Sequence, residues 1–232
     1  MVMLYPSHTD GFKMENILNL FIEKNISEMS ENELELFLPN LGMNDENLNE
    51  MPIELQQFYG IGLKFWQYPN QLSKYLKKIM SYDINSYLEI GCRWGGTFII
   101  TAEILKLKNK KINLIACDIE EMSEILFKYK KYTNFDYIRK NSNFLDKKDI
   151  NFDVDLILID GDHSYNGVKK DFEVSKQFNP KYIVFHDIYS SICPGVVEFW
   201  NEIKKDYKFY EYIDQYDSVK GNFLGIGLIE MY

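Results

Sequence analysis

From Ser81 onward, short apolar runs alternate with segments of helical character, and nothing else in the chain restricts its fold as strongly. The runs are Tyr87–Ile90, Ile112–Cys117, Phe135–Ile138, Leu156–Ile159 and Tyr182–Phe185, followed by Phe209–Ile213 and Phe223–Glu230. Between most of them lie Thr97–Lys108, Glu120–Tyr132, Gly167–Gln177 and Gly195–Asp206, whereas Phe144–Phe152 reads as a loop or short turn. Uninterrupted runs rich in β-branched residues suit strands buried on both faces. Strand and helix in alternation predict a parallel sheet with right-handed crossovers. The expected fold class is α/β: a doubly wound, mostly parallel sheet of seven strands over residues 81–232. Ligands of such sheets bind beyond the carboxyl ends of the strands, where strand order reverses. Polar residues fall at those ends: Glu89–Ile90–Gly91, Cys117–Asp118, Asn141–Ser142, Asp160–Gly161–Asp162–His163 and His186–Asp187.

Residues 1–80 follow another rhythm. Ile17–Phe21, Leu34–Leu41 and Ile53–Tyr59 carry apolar residues at helical spacing, and Gln71–Met80 presents Leu72, Tyr75, Leu76 and Ile79 on one face. Ser30 and Glu33 have the spacing of a capping box. This N-terminal helical segment is expected to cap the site or to form a contact between subunits. His8 falls in a terminal tail and points to no chemistry.

Hydrophobic residues make up 46% of the 232, which excludes a disordered chain. The net charge of −9 makes nucleic acid and anionic membranes poor general partners, and neither is expected. Cys92, Cys117 and Cys193 form neither a disulfide framework nor a zinc ribbon. The N-terminus lacks a basic segment followed by an apolar one, and no apolar run reaches the ~18–20 residues of a spanning helix. A cytoplasmic protein with free thiols is the expectation.

Tyr87-Leu-Glu-Ile-Gly-Cys-Arg-Trp-Gly-Gly-Thr97 places two glycines, Gly91 and Gly95, between a strand and a helix. Such glycines permit a sharp turn and close approach of the backbone. Arg93 stands where a dinucleotide-binding loop has its second glycine, which argues against a pyrophosphate on this loop. Glu89 suits a cationic group such as an α-ammonium. Asp118 can accept hydrogen bonds from a ribose diol or cap the helix that follows. Ser142 can meet an adenine edge or serve as an ordinary loop residue.

These features, with Leu158-Ile-Asp-Gly-Asp-His-Ser-Tyr-Asn-Gly-Val-Lys-Lys-Asp-Phe172, resemble class I S-adenosylmethionine-dependent methyltransferases, which have a Rossmann-like fold. More narrowly, Phe65-Trp-Gln-Tyr-Pro69 and Pro194-Gly-Val-Val-Glu-Phe-Trp-Asn-Glu-Ile203 resemble the group of macrolide sugar O-methyltransferases and cephalosporin hydroxylase-like proteins. The resemblance covers roughly residues 60–230. It implies an O-methyltransferase acting on a hydroxyl of a sugar or glycosylated small molecule. It implies an S-adenosylmethionine site from Gln67, Glu89, Gly91, Gly95, Asp118, Ser142 and Asp160. It further implies a divalent ion, magnesium or manganese, on Asp160, His186 and Asp187, and a homo-oligomer. A hard cation lowers the pKa of a bound hydroxyl, and a nearby base then takes its proton. Asp162 is the first candidate for that base and His163 the second. One departure stands out: His186 occupies a position where metal-dependent relatives offer oxygen ligands, and imidazole suits zinc, iron or manganese better than magnesium. Two other readings remain: a metal-dependent hydrolase built on the Asp/His cluster, and a non-catalytic domain that binds cofactor or a protein partner.

Overall fold

A computed structural model describes residues 13–232. His8, with the rest of the expected tail, lies outside them. Helices α1 (Met14–Glu23), α2 (Glu31–Phe37) and α3 (Pro69–Met80) precede the sheet. The remainder runs β1 (Ser86–Ile90), α4 (Gly96–Lys106), β2 (Asn113–Asp118), α5 (Glu124–Tyr129), β3 (Asp136–Arg139), β4 (Leu156–Ile159), α6 (Tyr165–Lys176), β5 (Tyr182–His186), α7 (Pro194–Ile203), β6 (Lys208–Tyr212) and β7 (Ile226–Glu230). The strand order is β3-β2-β1-β4-β5-β7-β6, with β7 antiparallel to both neighbours. The expected seven-stranded, mostly parallel sheet is therefore present. Chain order reverses between β1 and β4, so the crevice of the fold opens where Glu89–Gly91 meets Asp160.

The side-chain alternation of the central strands builds two cores. Tyr87, Leu158 and Val184 point to the face covered by α3, α4 and α5; Leu88, Ile90, Ile157, Ile159 and Phe185 point to the face covered by α6 and α7. The first core also takes Ile17, Phe21, Leu34 and Phe37 from the N-terminal helices. The change of pattern near residue 80 is thus not a boundary between two cores. On α3, Leu72, Tyr75, Leu76 and Ile79 are all fully buried, each contributing roughly 1.5–3 kcal/mol. Ser30 and Glu33 form the expected capping box at the start of α2.

Three local expectations are corrected. The helix expected over Glu120–Tyr132 is confined to Glu124–Tyr129, because Ser123 accepts the Leu126 N–H at 3.1 Å and starts the helix there. Ile53–Phe58 forms a 3-10 turn rather than an α-helix, entered from Pro52 and burying only Phe58. The last strand begins at Ile226 instead of Phe223, since Leu224 and Gly225 have φ of +59° and +105°, incompatible with an extended strand. Among the described residues, no helix is long and apolar enough to cross a membrane.

Candidate active site

The β1–α4 turn is set by contacts of chain with chain. Gly91 and Gly95 have φ of +85° and +87°, a region L side chains rarely adopt. A Cβ on Gly91 would stand 2.0 Å from the Asp160 carbonyl oxygen, and one on Gly95 would stand 2.4 Å from Leu126. The glycines therefore bring β1 against β4 and α4 against α5, rather than leaving a hollow that a side chain would fill. Arg93 is also left-handed, at φ +43°, and its N–H donates to Asp118 Oδ2 at 2.7 Å. Its guanidinium pairs with Glu46 at 2.6 Å and lies 5.0 Å from the centre of the Trp66 ring, so it ties the N-terminal segment to the loop.

Glu89 is buried under this turn and accepts a hydrogen bond from the Tyr87 hydroxyl. Burial pushes its carboxyl up to about 8. The Tyr87 hydroxyl opposes the rise, the Asp160 and Asp118 charges add to it, and His186 opposes it.

At the end of β2, Asp118 Oδ2 accepts from Arg93 and Oδ1 accepts the Glu120 N–H at 3.0 Å. Asp118 is therefore not the cap of α5; Ser123 is. Each oxygen retains an acceptor site beyond its backbone bond. Beside Asp118, Ile119 is 62% exposed, and Phe144, on the loop after β3, is 70% exposed. Both can line the flat face of a base, and both were missed; an apolar residue next to a strand-end acid is a signal the sequence offers. Ser142 donates its hydroxyl to Asp171 on α6, so the structure gives it a protein partner.

The ends of β4 and β5 bring four expected residues together. His163 Nε2 lies 3.1 Å from Asp160 Oδ1 and 3.6 Å from Asp187 Oδ2. His186 Nδ1 lies 3.2 Å and 3.4 Å from the same two oxygens. Cys193, which the sequence did not suggest, donates to Asp187 Oδ2 at 3.3 Å. Burial opposes ionisation of Asp160, but His186 and His163 outweigh it and hold the carboxyl well below its usual range. The hydrogen bond to Asp160, with Cys193 helping, pushes His163 up to about 11 against the effect of burial. Burial likewise opposes a charge on His186, yet Asp160 and Asp187 raise it well above the ordinary histidine value. Asp162 is not brought into this group. It is exposed, it accepts the Ser164 N–H at 2.9 Å at the start of α6, and Gly167 leaves room for its carboxyl.

The N-terminal segment closes over the strand ends. The Trp66 carbonyl accepts from His186 Nε2 at 3.1 Å, and Asn44 donates its N–H to the Phe65 carbonyl at 3.0 Å. Gln67 is buried and donates its side-chain amide to Gln71. Gln67 Oε1, Trp66 Nε1 and Asn44 Nδ2 are buried without a hydrogen-bond partner. Buried polar groups are rarely left unpaired. Asn44, between two short helical turns, carried no signal in the sequence.

Both groups implied by the resemblance can be tested against these residues. For an adenosyl-amino acid, the fit lies in the free acceptor sites of Asp118, the exposed Ile119 and Phe144, and the unpaired donors and acceptor at residues 44, 66 and 67. For a divalent ion, Asp160, His186 and Asp187 each offer one ligand atom within 4.8 Å of the others, and His186 Nδ1 and Asp187 Oδ1 lack hydrogen-bond partners.

Residues 88–188 match the family model described as a methyltransferase domain. The chain superposes on the O-methyltransferase TomG from Streptomyces achromogenes, involved in tomaymycin synthesis and solved with S-adenosylmethionine, at a TM-score of 0.55. Identity is 12%, over 88% of this chain and 100% of that one, a likeness of fold. An O-methyltransferase from Bacillus cereus, solved with S-adenosylhomocysteine, gives a TM-score of 0.49 and 16% identity over 93% and 89% of the two chains. No curated protein sequence matches the chain significantly.

Proposed function

We propose that this chain, whose residues 88–188 match a methyltransferase domain, transfers a methyl group from S-adenosylmethionine to a hydroxyl oxygen of a small polyhydroxylated acceptor, a sugar or glycoside. The observation that carries the reading is the placement of two unlike acidic centres on either side of the β1/β4 switch point. Asp118 lies at one, and the Asp160–His163–His186–Asp187 cluster lies at the other. The carbohydrate class is supported by the resemblance of the 65–69 and 194–203 blocks alone.

In this reading Asp118 holds the ribose, while Glu89 and the unpaired atoms of Trp66, Gln67 and Asn44 serve the amino-acid end. When bound, S-adenosylmethionine supplies the methyl carbon on a sulfonium; the carbon–sulfur bond breaks as a carbon–oxygen bond forms, and the sulfur leaves as a thioether. The acceptor's proton goes to His163 Nε2, the half-exposed member of the cluster, in place of Asp162. Positioning and general base catalysis of this kind are worth large factors when the geometry is held. Asp160, His186 and Asp187 would hold a divalent ion, which would supply the positive charge the imidazoles otherwise carry, free Nε2 to accept a proton and polarise an oxygen ligand.

Calorimetric titration with S-adenosylhomocysteine tests the cofactor half: micromolar binding is expected, weakened roughly hundred-fold in Asp118→Ala. Absence of binding to the native chain overturns the reading. Labelled methyl transfer to a panel of glycosides tests the acceptor half. Transfer to a carboxylate or amine, with none to hydroxyls, would refute the hydroxyl assignment.

A further inference from the structure

The identity of a metal at the β4 and β5 ends is constrained by which nitrogen of His186 is free. His186 Nε2 lies 3.1 Å from the Trp66 carbonyl oxygen. A carbonyl only accepts, so Nε2 carries the hydrogen and Nδ1 is the electron-pair atom of the neutral ring. That atom faces inward, 3.2 Å from Asp160 Oδ1 and 3.4 Å from Asp187 Oδ2. It has no hydrogen-bond partner, and neither does Asp187 Oδ1. His186 is 6% exposed and Asp187 5%. Metal–ligand bonds of ~2.0–2.2 Å set neighbouring ligand atoms about 2.8–3.6 Å apart, from square to tetrahedral arrangements. The His186–carboxylate spacings fall in that range before any ion is added.

We propose that Asp160, His186 Nδ1 and Asp187 form a site selective for a borderline transition-metal dication of the manganese, iron, cobalt or zinc class over magnesium. This rests on the metal reading above. Magnesium prefers oxygen ligands in a near-ideal octahedron and keeps much of its water. A buried imidazole, one of three protein donors, favours metals that accept nitrogen. The Trp66 carbonyl fixes the tautomer and the ring orientation, and the Cys193 thiol steadies Asp187 Oδ2 at 3.3 Å. Such supporting contacts keep ligands aimed at a metal. The imidazole is thus braced as a ligand.

The test uses the full chain with chlorides of manganese, cobalt, zinc and magnesium, read by calorimetry, by thermal melting and by the visible spectrum of added cobalt(II). S-adenosylhomocysteine binding is measured on the same samples. The informative variant is His186→Gln: its amide nitrogen can still donate to the Trp66 carbonyl while it offers the ion an oxygen. The native chain is expected to shift the cobalt spectrum away from that of the hydrated ion. The ratio of manganese to magnesium affinity should fall at least ten-fold in His186→Gln. A cobalt spectrum unchanged from the hydrated ion overturns the proposal on the native chain alone. So does an unchanged affinity ratio in a variant that still binds S-adenosylhomocysteine. Ion binding as expected, with no S-adenosylhomocysteine binding, would instead sink the methyltransferase reading and leave the metal site standing.

Discussion

At the β2 end, the Asp118 carboxylate is gripped by two backbone N–H groups; at the β4 and β5 ends, Asp160 and Asp187 are held by two imidazoles and a thiol. The first arrangement is part of the loop itself. Arg93 adopts φ +43°, its N–H meets the carboxylate, and the oxygens cannot turn without refolding the bend. The second arrangement consists of side chains whose charges depend on one another. A carboxylate fixed by the main chain suits recognition of a constant group such as a diol. A cluster of coupled acids and imidazoles suits chemistry in which a proton or cation must come and go.

The sharpest way to break this comparison is to remove the proton-handling member. His163→Ala should lower kcat by roughly 10²–10⁴-fold, while the S-adenosylhomocysteine dissociation constant stays within a factor of about two. A matching loss of affinity would show that the two halves are not separate. Asp118→Ala should act on the other half, weakening S-adenosylhomocysteine roughly hundred-fold by calorimetry, as expected for lost hydrogen bonds to a charged group. Retained affinity would remove Asp118 from the site.

Glu89 lies between the halves and gives a pH signature. Its carboxyl is raised from 4.5 to about 8 in the folded chain. Below 4.5 it is protonated in both states, and its full contribution is present. Between 4.5 and about 8 the unfolded chain ionises first, so stability falls as pH rises; above about 8 the loss is complete. Melting curves should show the native chain losing stability relative to Glu89→Gln across that window, by at most about 1.4 kcal/mol per pH unit. Parallel pH profiles would mean that Glu89 ionises normally. The smallest effect belongs to Asp162→Ala. With its carboxyl turned to the start of α6, this change should cost about 1 kcal/mol of stability and leave kcat nearly unaltered. A large fall in kcat would return Asp162 to the role of base.

The sheet was legible because burial on both faces leaves an unmistakable trace: Leu156–Ile159 is a strand at the residues expected. The strand-end rule places Asp118, Asp160, His186 and Asp187 at one edge from the sequence alone. Element ends were less legible where a local bond decides them, as Ser123 decides the start of α5. Direction was not legible at all. Asp162 and His163 are adjacent in sequence, yet one faces a helix N-terminus and the other the cluster, because the Ser164 N–H and the space at Gly167 capture the first. Sequence order and apolar periodicity determined which segments become strands and which residues stand at their ends, since burial of apolar surface is read from composition and spacing; the strand order, with β7 antiparallel between β5 and β6, came from the tertiary structure. Which nitrogen of His186 is free, what Gly91 presses against and which atoms near residues 44–67 lack partners were decided only by the packing of distant segments. Hydrogen bonds are directional, and the partners of His186 and Trp66 stand 120 residues apart in the chain.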